Sequence, residues 1–134
     1  MKNVQGLMKE LFGNSCLAYC YSYIARKTDN VKVLTNDVLN GWTKGYIKDD
    51  GYVSCPATYL DMMGFKAWDI TKVAIKSLAE LPEGLQIVEY KKSPDAAASH
   101  FVVATKDGVV FDPSGSSITV ATGKPVSFRR IWTK

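Results

Sequence analysis

The chain has 134 residues, of which 46% are hydrophobic and 22% charged. That is the composition of a globular protein and the length of one domain, so a single domain over residues 1–134 is expected, with a core that needs no disulfide or metal to hold it. The net charge of +4 is spread without a run of three basic residues, and the densest pairs, Arg26-Lys27, Lys91-Lys92 and Arg129-Arg130, read as solvated surface rather than a nucleic-acid partner's footprint.

No apolar run reaches membrane-spanning length, and the first ten residues lack the apolar stretch of a signal peptide. Three cysteines, none in a CxxC pair, argue against a disulfide framework or a structural zinc site. No membrane, metal or cofactor is therefore expected, and the setting expected is reducing and cytoplasmic.

Val4, Leu7, Met8, Leu11 and Phe12 recur at helical spacing, which predicts a helix over 2–12 stopped at Gly13. Asn14 and Ser15 are N-cap residues for a second helix running from Cys16 to Lys27. That segment is apolar on nearly every side until Arg26, as a buried, central helix is. Thr28-Asp29-Asn30 predicts a turn, and Thr35-Asn36-Asp37 a further helix through Trp42. A loop follows at Lys48-Asp49-Asp50-Gly51. Ser54-Cys55-Pro56 predicts another helix start, with Ser54 as cap and proline in the first turn; Gly64 closes it. A short helix is predicted over 73–80.

Beyond this point the period changes to that of strands. Leu85 to Tyr90, His100 to Ala104, Val109 to Phe111, Ile118 to Val120 and Val126 to Trp132 are predicted strands. Helices first and an antiparallel sheet second is an α+β arrangement.

The sequence holds one histidine, His100, at the start of a predicted hairpin that ends on Asp112. Cys16 sits at a predicted helix start, where unpaired backbone N–H groups and the helix dipole stabilise a thiolate. Cys20, one turn deeper, reads as core; Cys55, at another helix start, is a rival. If Lys106-Asp107-Gly108 is a three-residue turn, Thr105 pairs with Val109 and Asp112 lies on the His100 face of the sheet. A two-residue turn reverses the parity. Each residue also has a plainer role: a cysteine packed as a small hydrophobe, a histidine satisfied in the sheet, an aspartate turning the chain before Pro113.

Brought together, Cys16, His100 and Asp112 have the chemistry of a thiol-hydrolase triad. His100 takes the thiol proton and returns it to the leaving amine, and Asp112 fixes the imidazole tautomer. An oxyanion hole needs the backbone N–H of Cys16 and a second donor, which Asn14 or Gln5 can supply and the Glu10 carboxylate cannot.

The run Asn14-Ser15-Cys16-Leu17-Ala18-Tyr19-Cys20, with His100-Phe101-Val102-Val103 and Phe111-Asp112-Pro113-Ser114-Gly115 later, resembles the papain-like cysteine peptidases, in particular the small bacteriocin-leader (double-glycine) processing type. The stretch from Asp112-Pro113 to Arg129 also resembles a little-characterised family of small bacterial and phage proteins with the papain-like layout. The resemblance implies a papain-like fold, with the Cys16 helix central against the sheet, and a peptide or protein substrate. Two positions depart from it: Glu10 stands where the leader peptidases carry an oxyanion-hole glutamine, and Leu17 where they carry glycine. The function expected is a cysteine peptidase or amidase. A catalytically impaired binding or inhibitor module on the same scaffold, and an acyl transferase using the same triad, are the alternatives. The sequence leaves the oligomeric state open.

Overall fold

The structure, a computed structural model, describes residues 15–93, 95, 96, 99–115 and 118–133. The predicted helix over 2–12 and residues Gln5, Glu10 and Asn14 lie outside these. Helix α1 spans Cys16–Arg26, as its apolar run implies, and buries Ala18, Tyr19, Cys20, Tyr21, Ser22 and Ile24. Ser15 holds the N-cap position without making a side-chain cap bond. The helix stops at Lys27, which turns left-handed (φ 54°) and sends its N–H to the Tyr23 carbonyl at 2.7 Å.

Helix α2 spans Val31–Thr43 and so begins earlier than the predicted Thr35. The Asn30 side chain sets the start by accepting the N–H groups of Lys32 (3.1 Å) and Val33 (3.4 Å). The exposed Val31 and Val33 break the apolar period there and hide that first turn from the sequence. Helix α3 spans Pro56–Met62, with Cys55 rather than Ser54 at the N-cap position. Gly64, at φ 83°, ends it.

The strands are β1 (Ala67–Ala74), β2 (Gln86–Lys91), β3 (His100–Thr105), β4 (Gly108–Phe111) and β5 (Lys124–Thr133). They form one antiparallel sheet of order β1-β5-β2-β3-β4. Helices α1, α2 and α3 precede the sheet in the chain and pack on it, an α+β fold. Two predicted elements need correction. The helix over 73–80 is the end of β1 followed by a single 3-10 turn at Leu78–Glu80. β1 is an edge strand with four exposed positions, so it shows no clean apolar alternation. The predicted strand at Ile118 to Val120 is helix α4 (Ile118–Thr122). Its β-branched residues favour a strand, but Val120 packs into a core of the folded sheet and tertiary packing overrides that preference.

The sheet has a core on each face, because successive residues of a strand point to opposite sides. Ile87 and Val103 join α1, α2 and α3 in one core, with Phe101, Phe111, Ile70 and Ile131 at its margin. Val88, Val102, Ala104 and Phe128 face the other core with Ile75, Leu81 and Val120. Among the described residues no helix is long and apolar enough to cross a membrane.

Candidate active site

The hairpin of β3 and β4 brings His100 and Asp112 together by a route the sequence does not show. Thr105 pairs with Gly108, so the turn is the two-residue Lys106-Asp107, not the three-residue one. That turn alone would put Asp112 on the wrong face. A bulge intervenes: Ala104 pairs with Val109, but Val103 pairs with Phe111, and Val110 is the extra residue. The even turn and the bulge together restore the parity of an odd turn. The register, carried one residue past β4, therefore puts Asp112 opposite Val102 and on the His100 side.

The His100 Nε2–H donates to Asp112 Oδ1 at 2.7 Å, with the two side chains only 13% and 7% exposed. Asp112 is also the turn residue its sequence suggests. The Ser114 N–H donates to the same Oδ1 at 2.9 Å, and the Gly115 N–H to the Asp112 carbonyl. Phe111, one residue before, stacks on Tyr23 of α1 with ring centroids 4.5 Å apart. The end of the hairpin is thus pinned to the helix that carries Cys16.

His100 is hydrogen-bonded to the Cys16 side chain as well. The bond to Cys16 is the largest influence on the imidazole and raises its pKa; burial opposes it, and the bond to Asp112 adds to it, so the ring is pushed up to about 9. At neutral pH the imidazole holds its proton. Cys16 is half-buried. As the first residue of α1 its backbone N–H has no acceptor within the helix, and the uncapped Ser15 does not supply one.

The chain belongs to the DUF261 family. That family's model, described as a protein of unknown function, matches residues 1–134. No curated protein and no solved structure matches the chain.

The other thiols of this DUF261 chain are placed differently. Cys20 is fully buried, and burial, reinforced by Cys16 and Asp112 nearby, pushes its pKa well up, so it stays a neutral thiol. Cys55 lies 3.6 Å from the Ser54 hydroxyl and is not among the groups acting on His100. Of the two oxyanion-hole side-chain candidates, Asn14 and Gln5, neither lies within the described residues. Leu17, the departure after Cys16, packs against the core.

One group escaped the sequence reading. Glu89 lies in the middle of β2 and is only 6% exposed. The Ser127 hydroxyl donates to it at 2.7 Å, Ser99 hydrogen-bonds it, and Lys72 lies 3.6 Å away. Burial alone would raise its pKa, but the bonds from Ser127 and Ser99 and the charges of Lys72 and Arg129 outweigh that and hold it below the usual carboxylate range. Ser99 precedes His100, so this buried carboxylate anchors the entry to β3. The available sign was an acid inside the otherwise apolar run Ile87-Val88-Glu89-Tyr90.

Proposed function

We propose that the chain is a thiol hydrolase that cleaves a peptide or amide bond, with Cys16 as nucleophile, His100 as its acid–base partner and Asp112 orienting the ring. The observation that carries this is His100 held by two partners: the Asp112 carboxylate at 2.7 Å on Nε2, and the Cys16 side chain, whose hydrogen bond is the largest influence on the ring. An imidazolium beside a sulfur at a helix start stabilises the thiolate. The thiolate attacks the substrate carbonyl, and the tetrahedral oxyanion sits against the backbone N–H of Cys16. As the C–N bond breaks, the imidazolium proton passes to the leaving amine and a thioester remains on Cys16. The now neutral His100 takes a proton from water, the hydroxide attacks the thioester, and the acid leaves as Cys16 recovers its starting state.

Acyl transfer uses the same steps with an amine or thiol in place of water, so the acceptor alone separates the two. The papain-like scaffold suggested by the motifs is compatible with helices packed on an antiparallel sheet, and three free cysteines suit a reducing compartment such as the cytoplasm.

The test is iodoacetamide labelling mapped by mass spectrometry at about pH 6.5, where an ordinary thiol, of pKa about 8.5, is mostly protonated. Cys16 is expected to label well ahead of Cys55 and Cys20 and to lose that lead in His100→Ala. A peptide library is then expected to be cut by the wild type and left intact by Cys16→Ala. Labelling of Cys16 no faster than Cys55, with no effect of His100→Ala, would leave a scaffold without thiol chemistry. Cys16 activated but no peptide cut would favour transfer or a binding module.

A further inference from the structure

The Lys91-Lys92 pair, which in sequence looks like solvated surface, is part of a larger arrangement. A concavity of about 300 Å³ opens where β1, β2 and β5 meet, lined by Lys76, Lys91, Lys92 and Lys124 over a floor that includes Ile75, Pro125 and Val126. The lysines come from three separate segments, and the fold brings them together. Past the end of β1, Ile75 continues the ladder by donating its N–H to the Val126 carbonyl at 3.1 Å, which places Lys76 beside the start of β5. On the other side, Gly123 lies so close to the carbonyls of Lys91 and Thr119 that no Cβ fits. That close approach clamps the start of β5 onto the end of β2.

The consequence is that Lys91 and Lys124 are directly opposite each other in the antiparallel ladder. Like charges in that position are destabilising. Among the described residues, none of the four ammonium groups has a carboxylate in ion-pair range, whereas Lys66, Lys72 and Lys106 each do. Glu80 is the acid that acts on this cluster. Its carboxylate is engaged by the backbone N–H groups of Lys76 and Ser77, and the Lys76 charge is a minor influence on it. Four lysines that, among the described residues, have no carboxylate in ion-pair range stand around one recess with an apolar floor, two of them set against each other, and form a site whose repulsion an anion of multiple charge relieves.

We propose that this recess binds a ligand presenting clustered phosphates. Phosphate is the anion that combines high charge density with several acceptor oxygens for ammonium donors. The volume is at the lower end of small-molecule sites, enough for a di- or triphosphate group, and the apolar floor can carry a neighbouring carbon or ring portion. The same phosphates can come from a free polyphosphate compound or from a nucleic-acid backbone. The site stands apart from the thiol chemistry and holds whether or not Cys16 is a nucleophile.

The test is isothermal titration calorimetry of the full chain with sodium tripolyphosphate at low salt, repeated with Lys91→Gln/Lys124→Gln. Wild type is expected to bind in one step that weakens with added salt. Losing two charge-assisted donors is expected to weaken it by about tenfold or more. The double variant also loses the like-charge contact, so its melting temperature without anion is expected at or above that of wild type. Should it not fold, Lys76→Gln/Lys92→Gln removes two charges off the ladder pair and is expected to show the same loss. Absence of binding up to about 1 mM tripolyphosphate, where even a weak specific site would show heat, would overturn the proposal, as would equal binding by wild type and the folded variant. A single-stranded oligonucleotide that displaces tripolyphosphate from wild type identifies a nucleic-acid source; one that fails to displace it identifies a free polyphosphate compound.

Discussion

At one end of α1, Arg26 grips Asp37 with two hydrogen bonds, Nε to Oδ2 at 2.9 Å and a terminal nitrogen to Oδ1 at 2.8 Å. At the other end, beside Cys16, His100 grips Asp112 with one bond of 2.7 Å. Both aspartates are nearly buried, 3% and 7% exposed, and both depend on a cation for that burial. The cations differ in kind. Arginine keeps its charge at every working pH and its fork matches a carboxylate, so the Arg26–Asp37 pair is a fixed tie between α1 and α2. Histidine can give its proton up, and here its ring is shared with a thiol. The helix dipole suits both arrangements, favouring positive charge at the Arg26 end and negative charge at the Cys16 end. The proposed thiol chemistry rests on that difference, a cation that is titratable and lies beside a thiol.

The largest effect expected is at the fixed end. Arg26→Ala leaves Asp37 without its counter-charge, and the unfolding free energy in urea is expected to fall by about 2–3 kcal/mol, less than for a fully buried pair because the Arg26 side chain is 40% exposed. The iodoacetamide rate of Cys16 in the folded fraction is expected to stay unchanged. A rate that moves with it would mean that the two ends are coupled through the helix. Next comes the end proposed to carry the thiol chemistry. His100→Ala is expected to slow Cys16 labelling at about pH 6.5 by about tenfold or more, since the thiolate fraction sets the rate, with a smaller slowing in Asp112→Asn.

These two ends were unequally legible in the sequence. Cys16 could be found because a polar Asn14-Ser15 start and a long apolar run mark a helix N-terminus, and His100 because it is the only histidine and opens an alternating strand. The pair Arg26–Asp37 leaves no such mark: it forms only when α1 and α2 pack, and each residue alone reads as a solvated charge at a helix end. The partnership of His100 with Asp112 was readable only up to the parity of the hairpin. Asp107-Gly108 suits turns of either length, and the bulge at Val110 that decides the face depends on how β4 meets β3. β1 was missed because an edge strand is not required to alternate, and the lysine recess because the order β1-β5-β2 is a property of the folded sheet.

The contrast between the cations can be read by pH. Below about pH 9 His100 carries its proton and faces the sulfur as a cation; above it the ring is neutral. The ratio of Cys16 labelling in wild type to that in His100→Ala is therefore expected to be largest on the acid side and to approach one as pH rises past that point. The ring signals of the single histidine, followed by NMR, are expected to titrate near that value in wild type. They should titrate lower in Cys16→Ala and Asp112→Asn, with the larger drop in Cys16→Ala because the bond to Cys16 is the leading influence. A midpoint at the ordinary histidine value of about 6.5 in wild type would separate His100 from both partners.

The smallest effect is expected between the two ends, and it serves as their control. Ser22, midway along α1 and fully buried, makes a 2.6 Å hydrogen bond with the Tyr59 hydroxyl of α3. Burial pushes the tyrosine pKa up, so the hydroxyl stays neutral and able to donate. Ser22→Ala strands that hydroxyl and is expected to cost about 1–3 kcal/mol. Adding Tyr59→Phe removes the stranded group, so the double variant is expected to be about as stable as Ser22→Ala or more so, not the sum of two losses. Neither variant changes a charge, so Cys16 labelling and the His100 titration are both expected to stay at wild-type values. If they shift with Ser22→Ala, the Cys16–His100 end depends on how firmly α1 is packed, and the two ends of the helix could no longer be treated as independent.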